Sequence, residues 1–266
     1  MNISPQILTI ESASYREAFL DFLKDQNLKN IDIEQIEFAC EEIESDFQKA
    51  GKKRKNGEGY ESHPYEVTRL FIELWQRSIN TNTLIACLLH DHIEDIRWID
   101  YEHIETSFNP EVAFLVHLLS KPQIEWDESK MTQEQREELK RKRNEDFFQN
   151  FQSLKNLQAY IQQEASKLWF PLHKKYKEGT KNGLKKKARI IATLKICDRI
   201  HNLYTIDDFS PEKIKEKIEE TEKYLIPLAH ELSQKDTAIL DMLRKALLYA
   251  HKKYTQKSAR ASLEKR

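Results

Sequence analysis

Along most of the chain, apolar residues recur every three or four positions, the spacing of one face of an α-helix. Tyr15 to Leu23 carries such a stripe behind a Ser14/Glu17 capping box. From Ile31 to Ala50 the stripe is Ile33, Ile36, Cys40, Ile43 and Phe47, and Gly51 follows as a stop. A polar, basic loop, GKKRKNGEGYESHP, interrupts the pattern. Helices are then expected from Pro64 to about Arg77 and from Asn82 to about Ile96. Asp100 caps a short helix to Ser107, and Pro110 starts another through Leu119. Thr132 and Gln135 form a capping box for a charged helical stretch over roughly 132–168. After a polar hinge at Gly179 and Gly183, Leu184 to Tyr204 reads as a buried helix. Ser210-Pro211 opens one that carries Ile214, Ile218, Thr221, Leu225 and Leu228. A last helix is expected from Asp236 to Tyr254, with a frayed polar tail behind it. No internal repeat or linker divides the chain, so one all-α domain over 1–266 is the reading.

Composition narrows this further. Only 5 Gly and 7 Pro are present, too few for the many tight turns of a sandwich or barrel. No run approaches the roughly 18 apolar residues of a membrane span, and the N-terminus lacks the basic-then-apolar order of a secretory signal. Lys and Arg number 43 against 44 Asp and Glu, a balance that argues against a broad nucleic-acid surface. Cys40, Cys87 and Cys197 are scattered and form no CxxC pair, so neither a disulfide framework nor a zinc knuckle is supported. A soluble intracellular protein, placed in the cytoplasm, is expected, with neither nucleic acid nor membrane as partner.

The chemistry concentrates in TLIACLLHDHIEDI, residues 83–96. On one continuous helix, His90, Asp91, Glu94 and Asp95 would share an arc of about 140°, with apolar residues around much of the rest. Burying three carboxylates and a histidine together is very unfavourable unless a cation compensates them. His63 opens one neighbouring apolar segment, and Asp198 lies inside another, LKICDRIHN. Together His63, His90, Asp91 and Asp198 supply two imidazoles and two carboxylates, without a thiolate. That set suits a divalent metal such as Mn²⁺ or Fe²⁺.

This spacing, His…His-Asp…Asp, resembles the HD superfamily of metal-dependent phosphohydrolases. The segments RKNGEGYESHPYEV, TLIACLLHDHIEDI, FNPEVAFLVHLLSK, LKICDRIHNLYT and ETEKYLIPLAHEL are similar, in order, to the hydrolase domain of RelA/SpoT homologues, enzymes that degrade (p)ppGpp. The resemblance covers about 50–122 and 188–232 and implies a helical HD bundle. With no synthetase domain following, it implies a stand-alone small alarmone hydrolase. It assigns the metal, generally Mn²⁺, to His63, His90, Asp91 and Asp198. It assigns Glu94 and Asp95 to the attacking water. It places Arg54, Lys55 and Asn56 on the guanine nucleotide, Asn202 and Thr205 at ribose and phosphates, and Lys121 near the pocket. The substrate so implied is ppGpp or pppGpp, cleaved at its 3′-diphosphate to GDP or GTP. The positive run at 51–55 agrees with a highly anionic ligand, and Arg54 could both stack and pair. A different nucleotide (ppApp, a deoxynucleotide, NADPH) and a non-catalytic alarmone binder are the competing readings.

The chain departs from the family in an N-terminal extension of about 30 residues and in a long charged segment, 123–187. That segment inserts a helical hairpin or lengthens a helix. The C-terminal helix and tail fill 233–266. His92 stands where an aliphatic residue is usual and is read as packing or as supporting the metal ligands from behind; His201 and His230 are read as packing or hydrogen-bonding residues. Nucleotide recognition is expected to rest on Arg54 and Asn202 rather than on the insertion.

Overall fold

The computed structural model describes residues 15–53, 60–75, 77–122, 131–167, 181–234 and 237–264. Among them only helices and their connections form, with no β-strand element. Helix α1 is Tyr15–Asp25 and α2 is Ile33–Lys49. Asp32 caps α2 by accepting from the Gln35 amide. At its other end Gly51 takes φ +63. Its N–H then donates to Gln48 O and that of Lys52 to Phe47 O, 3.0 Å each. This is a Schellman stop, and glycine is what the left-handed backbone requires.

Helix α3 is Ser62–Leu74 and α4 is Thr81–Leu88. The long helix expected to Ile96 ends eight residues early. Residues 89–91 form a turn, and His92–Asp95 make a single further turn, α5. The His90 ring supplies the local reason. Its Nδ1 lies 2.7 Å from Cys87 O, satisfying a carbonyl that a continuing helix would have used. Apolar spacing runs on through Leu88, Leu89, Ile93 and Ile96, so periodicity cannot register the break.

Helix α6, Tyr101–Ser107, carries the expected Asp100 cap, and α7, Pro110–Leu119, has Asn109 accepting from two amides with Pro110 in its first turn. The Thr132/Gln135 capping box is present on α8, Gln133–Gln149. The stretch beyond is a hairpin rather than one helix. Phe151 buries completely in the turn against Phe147 and Phe148. Ser153 then caps α9, Leu154–Lys167.

Helix α10, Lys181–Tyr204, is buried on nearly every side from Ile190 to Leu203. It packs on α3, α7 and α9 and on the last two helices of the chain, Ile226–Leu232 and Ala238–Glu264. A helix so enclosed is the axis of the core. After it come α11, Pro211–Glu220, and a π-turn over Thr221–Leu225. The turn leads into α12, Ile226–Leu232, with Pro227 in its first turn. Proline has no N–H to continue the α ladder, and the wider turn absorbs it. The five apolar-face residues expected here are all buried. The last helix, α13, spans Ala238–Glu264. The tail expected to fray beyond Tyr254 is helical instead through Glu264. It lacks Gly and Pro, and Lys257 donates to Phe209 O at 2.8 Å while Tyr249 holds Asp207 at 2.7 Å.

Candidate metal centre

Three parts of the fold converge on one point. His63 stands in the first turn of α3, His90 and Asp91 in the turn between α4 and α5, and Asp198 in the last two turns of α10. His63 Nε2 lies 3.2 Å from His90 Nε2, 3.3 Å from Asp91 Oδ2 and 3.4 Å from Asp198 Oδ1. His90 Nε2 is 3.3 Å from Asp91 Oδ2 and 3.8 Å from Asp198 Oδ1. One donor atom from each residue fits within 4.8 Å of the others. Donors about 2.1 Å from a shared ion stand about 3–3.5 Å apart, so the separations suit a common cation.

The outer nitrogens of both imidazoles are already engaged. His90 Nδ1 faces Cys87 O, and His63 Nδ1 lies 2.8 Å from His201 Nδ1. A proton on each Nδ1 leaves each Nε2 lone pair directed at the cluster, the arrangement expected around a metal-binding histidine. His201 is thus a hydrogen-bonding residue, as the sequence suggests. Burial opposes protonation of His90, yet Asp91 and Asp198 beside it raise its pKa to about 10. Burial would raise Asp91 and Asp198, but the imidazoles hold Asp91 well below its usual range. Lys195 and the imidazoles do the same for Asp198. Such a pocket holds positive charge strongly, as a proton or as a metal ion.

Asp198 does not pair with the adjacent Arg199, which reaches Glu220 at 2.8 Å. Its partner is Lys195, one turn earlier, at 3.0 Å. A lysine three residues before the aspartate, inside the apolar run from Ile190 to Leu203, was the signal available for this role. Asn202 also turns to Asp198, its amide donating at 2.5 Å. Thr205 donates to His201 O, one turn beyond the ring that holds His63.

Glu94 and Asp95 flank the cluster, each held by a lysine. Glu94 accepts from the Lys121 amide at 2.6 Å and from its ammonium at 3.0 Å. Asp95 takes Lys52 Nζ at 2.6 Å and the Tyr60 hydroxyl. Burial and then Asp91 push the Asp95 pKa up. Lys52 was visible only as one charge in GKKRK; the Schellman turn at Gly51 leads the chain directly to it. Arg54, Lys55 and Asn56 lie outside the described residues. His92 is buried with its ring against Phe47, and burial lowers its pKa to about 3, so it packs as a neutral ring.

Residues 39–176 match the HD domain family. The chain belongs to the HD-domain family. The match runs through α8 and α9 and stops short of Asp198, whose place beside the HD pair His90-Asp91 comes from the fold. Within the family the chain is RelA/SpoT hydrolase-like. It is 30% identical over 182 residues to the bifunctional (p)ppGpp synthase/hydrolase SpoT of Escherichia coli, covering 68% of this chain and 20% of that protein. It is 29% identical over 183 residues to a probable guanosine-3′,5′-bis(diphosphate) 3′-pyrophosphohydrolase of Synechocystis, covering 69% and 18%. It is 27% identical over 208 residues to a GTP pyrophosphokinase of Streptomyces coelicolor, covering 78% and 19%. The HD-domain chain spans about a fifth of the length of these relatives. Among its described residues no helix is long and apolar enough to cross a membrane.

Proposed function

We propose that this chain hydrolyses the 3′-diphosphate of ppGpp or pppGpp, yielding GDP or GTP and pyrophosphate. The observation that carries the reading is the pairing of a four-donor cluster with two lysine-held carboxylates beside it, in a chain similar to 3′-pyrophosphohydrolases. His63, His90, Asp91 and Asp198 would hold the metal, taken here as Mn²⁺. A bound divalent ion lowers the pKa of water and polarises a phosphoryl oxygen. Glu94 and Asp95 orient the water and accept its proton. The water oxygen bonds to the phosphorus on O3′, the P–O3′ bond breaks, and O3′ takes a proton. Lys121 and Lys52 fix the two carboxylates, so they need little reorganisation as charge moves. Asn202 and Thr205 lie along the same end of α10 and are assigned to sugar and phosphate, with Arg54, Lys55 and Asn56 on the base.

The test is turnover of ppGpp by the purified chain with Mn²⁺, products separated by chromatography. GDP and pyrophosphate are expected, and a chelator should stop their release. Glu94→Gln should keep its metal while kcat falls by about 10²–10⁴-fold. Faster turnover of ppApp, a deoxynucleotide or NADPH would reassign the substrate. Binding of ppGpp without turnover would make the chain an alarmone-binding regulator.

A further inference from the structure

A cleft of about 720 Å³ opens where the end of α7 meets the α8–α9 hairpin, within the size range of small-ligand sites. It adjoins the metal centre. Lys121, which grips Glu94, lines it, and so does Ile93, the residue before Glu94. Phe147 of α8 forms part of the wall, with the ammonium groups of Lys121 and Lys195 at 5.8 and 5.7 Å from its ring centre. Lys195 is the lysine that holds Asp198. The hairpin therefore touches two of the three lysines that brace the site.

The charge of the cleft favours an anion. Its buried acid, Glu164, is paired with the Lys167 ammonium at 2.6 Å and hydrogen-bonded to His117 Nε2 at 2.9 Å, and its other acid, Asp146, is exposed to solvent. Lys142 and Arg143 also line the cleft. Among the described residues neither makes an ion pair. Arg143 donates to Asn144 Oδ1 at 3.1 Å, and among the described residues its buried Nε has no hydrogen-bond partner. A buried guanidinium nitrogen left unpaired is costly, and a phosphate oxygen is the acceptor that arginine's geometry fits best.

We propose that this cleft receives the second phosphate arm, the 5′-di- or triphosphate, of the nucleotide whose 3′-diphosphate lies at the metal centre, with Lys142 and Arg143 as its phosphate ligands. The proposal rests on the function proposed above and extends it. It moves part of nucleotide recognition onto the segment from which the sequence led us to expect none. Both side chains lie on the hairpin, away from the four donors, so changing them leaves the metal centre intact.

The experiment compares two substrates, ppGpp and guanosine bearing a 3′-diphosphate and a free 5′-hydroxyl. KM, kcat, calorimetric Kd and bound metal are measured for the wild type, Lys142→Glu, Arg143→Gln and the double variant. The wild type should bind ppGpp at least 10-fold more tightly than the 5′-hydroxyl compound. The double variant should lose that preference, with unchanged metal content and a near-normal kcat for the 5′-hydroxyl compound. A preference retained in the double variant, or absent from the wild type, overturns the cleft assignment while pyrophosphate release keeps the proposed reaction standing. Binding that depends on Lys142 and Arg143 without any pyrophosphate release overturns the proposed reaction and leaves the cleft as a polyphosphate site.

Discussion

Helices α8 and α10 are both rich in charge, yet they use it in opposite ways. On α8 most of the charges face water: Arg141 and Glu138 pair at 2.6 Å with both side chains more than half exposed. Such pairs contribute little, because solvent screens them and ordering two long side chains opposes them. The helix is tied down at one end only, by Phe147 and Phe148 and the turn at Phe151. On α10, Lys195, Asp198 and Arg199 are all buried and each is paired. Breaking such a pair leaves a desolvated charge behind, a cost of about 3–5 kcal/mol. The same residue types thus serve as a solvated face on one helix and as fixed site electrostatics on the other.

The strongest way to break the α10 side is Asp198→Ala. It removes a metal donor and strands Lys195, so bound metal measured by mass spectrometry and turnover should both be lost. Retention of stoichiometric metal would contradict the assignment. On α8, Phe148→Ala strikes the anchor rather than the charges. Phe148 stacks on Tyr224 at 5.9 Å and lies under Arg199 at 5.2 Å, so denaturant unfolding should show a loss of about 3–5 kcal/mol. Acid titration sharpens the contrast. Burial would raise the pKa of Glu220, but Arg199 and Lys217 hold it down to about 2, below the value in the unfolded chain. Its stabilisation is therefore complete above about pH 4.5 and is lost as pH falls toward 2. The stability gap between wild type and Glu220→Gln should close over that window, whereas Glu138→Gln on α8 should show no gap at neutral pH. The smallest effect is Thr132→Ala. Losing the cap should cost about 1 kcal/mol, read as faster amide exchange in the first turns of α8 and no change around Asp198.

What the sequence alone determined was local. Asp100, Pro110, Thr132 with Gln135, and Ser210 with Pro211 announced helix starts, because a cap is made with residues two or three positions away. The enclosed helix at 184–204 and the four donors were legible too: a charged residue inside an apolar run stands out without its partners in view. Tertiary structure decided the rest. The chain turns at 89–91 because a ring nitrogen of His90 meets the Cys87 carbonyl and the Ser120 hydroxyl, at the end of α7, reaches the His90 carbonyl. The 132–168 stretch folds back because Phe151 finds a core to bury in. Lys52, Lys121 and Lys195 gained their roles from carboxylates 43, 27 and 3 residues away. Only the last of these spacings falls on one helix face. A pair across 43 residues leaves no periodic trace in the chain, since it is made by the folding that brings its two ends together.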